Sequence, residues 1–317
     1  MPANIQFSAV IPSYNRDRTL GRAIDSVLAQ EYRAAEILVI DDGSNDGTAE
    51  LVARYGQSVR YFYQPNSGVS AARNRGVKES QHDWIAFLDS DDYWLPQHLK
   101  RMAHAIEATN GQAGVYFSDV KRPLDEGGNS LWELCQFEIA SPFEFMSEAE
   151  DWVLKKIQPM MLQASVLRRE KYWECGALPS ALRTREDTLL FLKMGLLFPV
   201  CAVSGCGTAM MADGGMRLTK EIDCTTVDYA LATIFFLKEV LALKQLISAQ
   251  RRKHLKAKLS DAYFGAGRAF YRQKKHLTAA WYLLQSACVS RTVFARCLLR
   301  SSRQRVITPL RAISSTS

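Results

Sequence analysis

The sequence predicts an α/β fold: a mostly parallel sheet flanked by helices, followed by a helical C-terminal extension. Three observations carry this. Short apolar runs alternate with segments of helical periodicity from Phe7 to Phe117. The strand runs end in polar, turn-forming clusters, so chemistry is expected to gather along one edge of the sheet. From about Thr226 onward the periodicity is wholly helical.

In chain order, Phe7 to Pro12 reads as the first strand and runs out into Pro12-Ser13-Tyr14-Asn15. Leu20, Ala23, Ile24, Val27 and Leu28 recur at helical spacing, with Asp17 as the expected N-cap. Glu36 to Ile40 is the second strand, and Asp41-Asp42-Gly43-Ser44 is its exit. A helix from Asn45-Asp46-Gly47-Thr48 to Tyr55 leads to a third strand, Val59 to Tyr63. Gln64 to Gly68 is a turn, and a helix then runs to about Ser80. The fourth strand is Trp84-Ile85-Ala86-Phe87-Leu88, unbroken by a polar residue, as expected of a strand buried on both faces. Leu99, Met102, Ala103 and Ile106 mark the next helix, and Val115 to Phe117 and Met161 to Leu167 two more strands. Glu186 to Leu197 is helical. Leu231 to Leu241, Leu259 to Tyr271 and Leu277 to Cys288 are the helices of the extension, the last two forming a hairpin through Gly267, Phe270, Ala279 and Leu283. The domains expected are residues 1–222, a basic helical extension over 223–302, and a disordered tail over 303–317.

The fourth strand ends in Asp89-Ser90-Asp91-Asp92. Packing asks for no such cluster, because like charges repel and each is costly to desolvate. A divalent cation removes the conflict, and hard oxygen ligands at this spacing suit Mg2+ or Mn2+ together with substrate phosphates. Asp89 and Asp91 are therefore candidates to hold a metal-diphosphate; the plainer alternative is a solvated acidic turn before the following helix.

Composition bounds the rest. The 317 residues are 47% hydrophobic and 23% charged, ordinary for a globular chain. The opening residues do not read as a secretory signal. Leu189 to Val203 is too short and too interrupted, by Lys193 and Pro199, to span a bilayer. Seven cysteines without C-x-x-C spacing point to reduced thiols in a cytoplasm rather than a disulfide or zinc framework. Charge is unevenly spread. Residues 251–317 carry 15 Lys/Arg and one acid, Asp261, whereas the first 250 carry 25 Lys/Arg and 32 Asp/Glu. Clusters at Arg251-Arg252-Lys253, Lys256-Lys258 and Lys274-Lys275 are interleaved with Leu255, Leu259, Tyr263, Phe264, Phe270, Tyr271 and Trp281. A solvated helical face, or docking on an anionic membrane surface, accounts for this. No nucleic-acid module is recognisable, and no nucleic acid is expected as a partner.

Five signals stand in order: Pro12-Ser13-Tyr14-Asn15; Asp41-Asp42-Gly43-Ser44 with Asp46-Gly47-Thr48; Asn66-x-Gly68 with Ala72-Arg73-Asn74-x-Gly76; Phe87-Leu88-Asp89-Ser90-Asp91-Asp92; and Glu186-Asp187, preceded by Ser165-x-Leu167-x-Arg169 and Cys175-Gly176. The series closely resembles the family 2 glycosyltransferases, which have the GT-A, Rossmann-like fold, and it covers roughly Phe7 to Thr219. The resemblance implies a metal-dependent, inverting transfer of sugar from a nucleotide-sugar, a UDP-sugar above all, to a saccharide or lipid-linked acceptor in polysaccharide or glycan synthesis at the cytoplasmic face of the membrane. It implies nucleotide-sugar contacts at Pro12, Tyr14, Asn15, Asp41, Asp42, Gly68, Arg73, Asp89 and Ser90.

The chemistry of those residue types agrees. Asp42 can accept the N3 hydrogen of a uracil, with Pro12 and Tyr14 as an apolar wall; a strand-to-helix turn is the simpler account of the latter pair. Arg73 is a diphosphate or uracil-edge ligand in the resemblance and otherwise a surface helix charge. Gly68 and Gly76 admit close backbone approach. A poor hydroxyl nucleophile needs a general base. Asp187 is the candidate and Glu186 its alternative, although acids at a helix start are also favoured by the dipole. Departures from the family concentrate on the acceptor side: Thr188 stands where an aromatic is frequent, Arg217-Leu218-Thr219 lacks a histidine, and Gly176-Ala177-Leu178 replaces Gly-Phe-Asp. A nucleotidyltransferase of similar sheet, or a non-catalytic nucleotide-sugar-binding relative, are the competing classes. Pro12-Ser13-Tyr14-Asn15 lacks the Gly-rich triphosphate loop of the first, and the intact Asp89, Asp91 and Asp187 argue against the second.

Overall fold

The computed structural model describes residues 5–123, 127–147, 157–180, 182, 185–211, 227–243 and 247–300. The chain divides into two compact units, Met1–Gly215 and Met216–Ser317. The break expected at 222/223, the Arg217-Leu218-Thr219 segment and the tail from 303 lie outside the described residues.

The first unit is built on one mixed sheet. Strands β1 (Phe7–Ser13), β2 (Glu36–Asp41), β3 (Arg60–Tyr63) and β4 (Trp84–Phe87) pair in parallel in the order β3-β2-β1-β4. Every residue of β1 and β4 is buried, as their continuous apolar sequence requires. Helices α1 (Leu20–Leu28), α2 (Thr48–Ala53) and α3 (Val69–Glu79) make the crossovers. In α1 Leu20, Ala23, Ile24 and Val27 are the buried stripe, and full burial of each Leu or Ile contributes about 1.5–3 kcal/mol. The N-cap of α1 is Thr19, not Asp17, and makes no side-chain cap bond. The Asp17 amide instead donates to the Asp46 carboxylate at 3.1 Å, which ties the first exit loop to the second.

Beyond β4 the sheet becomes mixed. Strand β5 (Tyr93–Trp94) and helix α4 (His98–Ala108) lead to β6 (Val115–Lys121), then to helix α5 (Leu131–Cys135) and β7 (Phe143–Met146). Strand β8 (Ser165–Arg168) inserts between β4 and β6, antiparallel to both. The segment before it, read as strand from Met161, is a single 3₁₀ turn over Leu162–Ala164. Helices α6 (Arg169–Glu174) and α7 (Glu186–Leu197) follow. The sheet is completed by β9 (Val200–Ala209), parallel to β6 with two register shifts around Asp119 and antiparallel to β5 and β7.

The second unit is helical: α8 (Val227–Ala242), α9 (Ala249–Arg272), α10 (His276–Val289) and α11 over residues 291–300. The α9–α10 hairpin closes where the sequence pointed. A Cβ on Gly267 would meet Leu283 Cγ at 2.8 Å, Phe270 stacks on Tyr282 at 5.1 Å, and the Ser286 hydroxyl donates to the Ser260 carbonyl at 2.7 Å. Among the described residues no helix is long and apolar enough to cross a membrane.

Candidate functional site

Because β1, β2 and β4 are parallel, their polar exits emerge at the same sheet edge. Ser13 pairs with Asp41 in register, and the Asp42 amide extends the ladder to the Ser13 carbonyl at 2.8 Å. The Leu88 amide does the same to the Val10 carbonyl at 3.0 Å, one residue before Asp89.

Much of the polar sequence at this edge is spent on shaping loops. Asn15, at φ +52°, donates its amide to Ser44 Oγ at 2.8 Å and accepts the Asn45 amide at 2.9 Å. Asp41 is buried; its carboxylate accepts from the Ser44 amide at 2.8 Å and from the Tyr61 hydroxyl at 2.5 Å. Burial, with Asp41 beside it, pushes the Tyr61 phenol well up. Asp42, also buried, accepts from Gln64 Nε2 at 2.7 Å and from the amides of Ser67 and Gly68 at 2.9 and 2.8 Å. A carboxylate has about four lone-pair sites, so one remains for a ligand N–H. Gly68 meets nothing at its Cβ position, and its requirement is φ +89° at the start of α3 rather than close approach. Gly76 does meet the close-approach expectation: a Cβ there would sit 2.2 Å from Val10 Cγ1, so glycine lets α3 lie directly on β1.

The centre of the site is Arg73, on the buried face of α3 rather than on the surface. Its guanidinium donates to Asp89 Oδ1 at 2.6 Å and to Glu186 Oε1 at 3.1 Å. It thereby joins the strand-tip carboxylates to the acidic pair at the start of α7. Buried between two carboxylates, it is held charged. Burial and then the neighbouring Asp187 push the Glu186 carboxyl up, against the pull of Arg73. The next residue of α3 fixes the same junction. Asn74 donates to the Leu178 carbonyl at 2.8 Å and accepts the Leu178 amide at 3.1 Å as well as the Tyr172 hydroxyl. Nothing in the spacing of the motif around Asn74 foretells this clamp. The Gly176-Ala177-Leu178 segment, which lacks the family's acid, is thus held through the Leu178 backbone by the Asn74 side chain of α3.

Asp187 is less buried than Glu186. Its Oδ1 accepts from the Thr188 amide at 2.6 Å and the Thr188 hydroxyl at 3.2 Å. The threonine that departs from the family pattern therefore orients the adjacent carboxylate. Of the strand-tip acids, Asp91 stands 3.8 Å from Arg16, and Arg22 donates to its backbone carbonyl at 2.6 Å. Asp92 is buried and structural: it accepts from Gln163 Nε2 and from the Met211 amide, both at 3.3 Å. Ser90 is buried beneath the turn, Pro12 is buried within β1, and Tyr14 is 49% exposed on the loop after it. The site thus offers two part-exposed carboxylates, a buried arginine and a second acidic pair, which suits an anionic, charge-developing substrate.

Comparison with known proteins gives the same frame. The family model of glycosyl transferase family 2 matches residues 8–176. The succinoglycan biosynthesis protein ExoO of Rhizobium meliloti is 39% identical over 133 residues, covering 41% of this chain and 37% of that protein. The chain spans about a third of the length of the first curated relatives it matches. Among solved structures, S. aureus TarS 1-349 in complex with UDP-GlcNAc superposes with a TM-score of 0.63 at 18% identity, over 91% of this chain and 83% of that one. The mannosyltransferase PcManGT from Pyrobaculum calidifontis, in complex with GDP-Man and Mn2+, does so with 0.56 at 17%, over 99% and 84%. At these identities the structural likeness shows the GT-A fold.

Proposed function

The chain belongs to glycosyl transferase family 2, and on that premise we propose that it transfers a sugar from a nucleotide-sugar, a UDP-sugar in particular, to a saccharide or lipid-linked acceptor in polysaccharide assembly. The observation that supports this most is the Arg73 junction, which sets the strand-tip acids and the α7 acids around one buried cation.

On this reading the β1 and β2 exits hold the nucleoside. Tyr14 lies along the base over the buried Pro12, and Asp42 uses its remaining acceptor site on the base N–H. Asp89 and Asp91 would hold Mg2+ or Mn2+. Both side chains are 28% exposed, and each faces an arginine. Such a pair would suit an ion that takes its other ligands from substrate phosphates and water, since among the described residues no group of three His, Cys, Asp or Glu side chains is placed to hold a metal by itself. When bound, that ion neutralises the charge of the departing diphosphate. Arg73 keeps Asp89 and Glu186 at fixed separation. Asp187, oriented by Thr188, takes the proton from the acceptor hydroxyl on the face opposite the leaving group, so the anomeric configuration inverts. The basic region after Gln250 brings the enzyme to an anionic membrane surface at the cytoplasmic face, where a lipid-linked acceptor would be found. The PcManGT complex with Mn2+ and the TarS complex with UDP-GlcNAc support the metal and the donor class by analogy of fold.

The test is a panel of UDP-GlcNAc, UDP-glucose, UDP-galactose and GDP-mannose, scored for nucleoside diphosphate release with Mn2+, Mg2+ or excess chelator. Release of a nucleoside diphosphate that chelator stops is the expected result. Pyrophosphate release, or turnover indifferent to chelator, overturns the reading.

A further inference from the structure

Helix α10 has two apolar faces, and among the described residues one of them is largely exposed. The inner face, Ala279, Tyr282, Leu283 and Ser286, packs on α9. The other carries Leu277, Trp281, Leu284 and Cys288, which fall at i, i+4, i+7 and i+11, within an arc of about 60° at 3.6 residues per turn. Leu277 is 90% exposed, Leu284 60% and Trp281 50%. Tyr271, 56% exposed, stands at the hairpin tip, and α11 adds exposed Leu298 and Leu299. A row of large apolar side chains in water marks a contact surface.

The surrounding charge identifies the occupant. No Asp or Glu occurs after Asp261 in the sequence, whereas Arg268, Arg272, Lys274, Lys275, Arg291 and Arg296 lie in the hairpin and the helix that follows it. Arg272 and Lys274 are exposed at the tip beside Tyr271 and Leu277. A second copy of this face would bring like charges together without a carboxylate to offset them. A surface that is negative at the headgroups and apolar just below matches both features, and Trp is the side chain that settles at that boundary.

We infer that the α10 stripe Leu277–Trp281–Leu284 inserts into the headgroup–acyl boundary of an anionic bilayer, with Arg272, Lys274 and Lys275 on the phosphates. This rests on the membrane-docking reading above and sharpens it from attraction over a basic region to insertion of a named face. The full chain is mixed with vesicles of phosphatidylcholine alone, or with phosphatidylglycerol, some carrying brominated acyl chains. Sedimentation and tryptophan fluorescence are read, while nucleoside diphosphate release is followed in solution without vesicles. The expected result is binding to anionic vesicles with bromine quenching that Trp281→Phe removes. Leu277→Gln/Leu284→Gln should weaken binding by about tenfold or more, because two inserted apolar side chains are lost. Circular dichroism confirms that these surface variants stay folded. Binding that high salt abolishes, without quenching and unchanged in the double variant, overturns insertion while leaving electrostatic docking intact. No binding to either vesicle, with α10 variants instead altering the oligomeric mass, overturns both, and donor turnover in solution reports on the catalytic reading separately.

Discussion

Arg73 and Glu186, 113 positions apart in sequence, meet at 3.1 Å in the interior of the first unit. The same guanidinium reaches Asp89, so one buried cation offsets two carboxylates. Removing it leaves both uncompensated. Arg73→Met should destabilise the fold by about 3 kcal/mol, the low end for a broken buried pair because Asp89 is partly solvated. Urea unfolding measures this. Arg73→Lys keeps the charge but not the two-armed geometry, and should retain most of the stability while lowering turnover. A Met variant as stable as the parent would remove the junction from the account.

Asp91 carries a smaller structural role. Its carboxylate is 3.8 Å from Arg16 and part-exposed, so Asp91→Ala should cost under about 1 kcal/mol. Nucleoside diphosphate release should nevertheless vanish, with thermal melting nearly unchanged. Residual turnover near the parent's would show that Asp91 holds no metal-diphosphate.

Asp187→Asn should leave donor affinity in place and lower kcat by about 10²–10⁴-fold, because a general base acts only in the transition state. Thr188→Val removes the hydroxyl that donates to Asp187 and should give a smaller kcat loss of the same kind. Glu186→Gln separates the two acids: it loosens Arg73 and should affect stability and donor binding together. If Glu186→Gln alone abolished kcat at unchanged stability, Glu186 and not Asp187 would be the base.

His98 sets an acid limit. It is fully buried under Trp94, rings 5.0 Å apart, and neither ring nitrogen has a hydrogen-bond partner among the described residues. Burial, then Arg101, lowers its pKa to about 3. The unfolded chain binds the proton more tightly, so this contribution is complete above pH 6.5 and is lost as pH falls toward 3, by up to about 5 kcal/mol. His98→Leu should flatten stability across that window in denaturation run from pH 7 to pH 4. An equally steep acid slope in the variant would place the titration elsewhere.

The first half of the fold was legible because its signals are local. β1, α1, β2 and α7 carry their period in consecutive residues. β9 was not seen, because it follows the apolar α7 without a change in character and carries Ser204, Gly205 and Gly207 within it. The reversed direction of β8 leaves no trace in four residues, Ser165 to Arg168. At the site, residue types were readable but their uses were not. Asp42 reads as a base ligand, yet three of its acceptor positions fold the 64–68 turn. The Arg73, Asn74 and Thr188 bonds depend on which turns approach one another, and no spacing encodes that.

The placement of β8 has a consequence for the chain as it is made. Trp84 to Ala86 take β8 as their neighbour on one side, and that strand is not translated until Ser165 to Arg168. At about 5–20 residues per second, an entirely apolar strand waits roughly 4–16 s with one ladder edge open. An open apolar edge is a template for pairing with other chains. The hazard falls within one interval of synthesis, between the emergence of Phe87 and that of Arg168. A ribosome pausing in that interval prolongs exposure of the strand that carries Asp89, so slow translation there should cost more soluble protein than the same delay placed after Ala209.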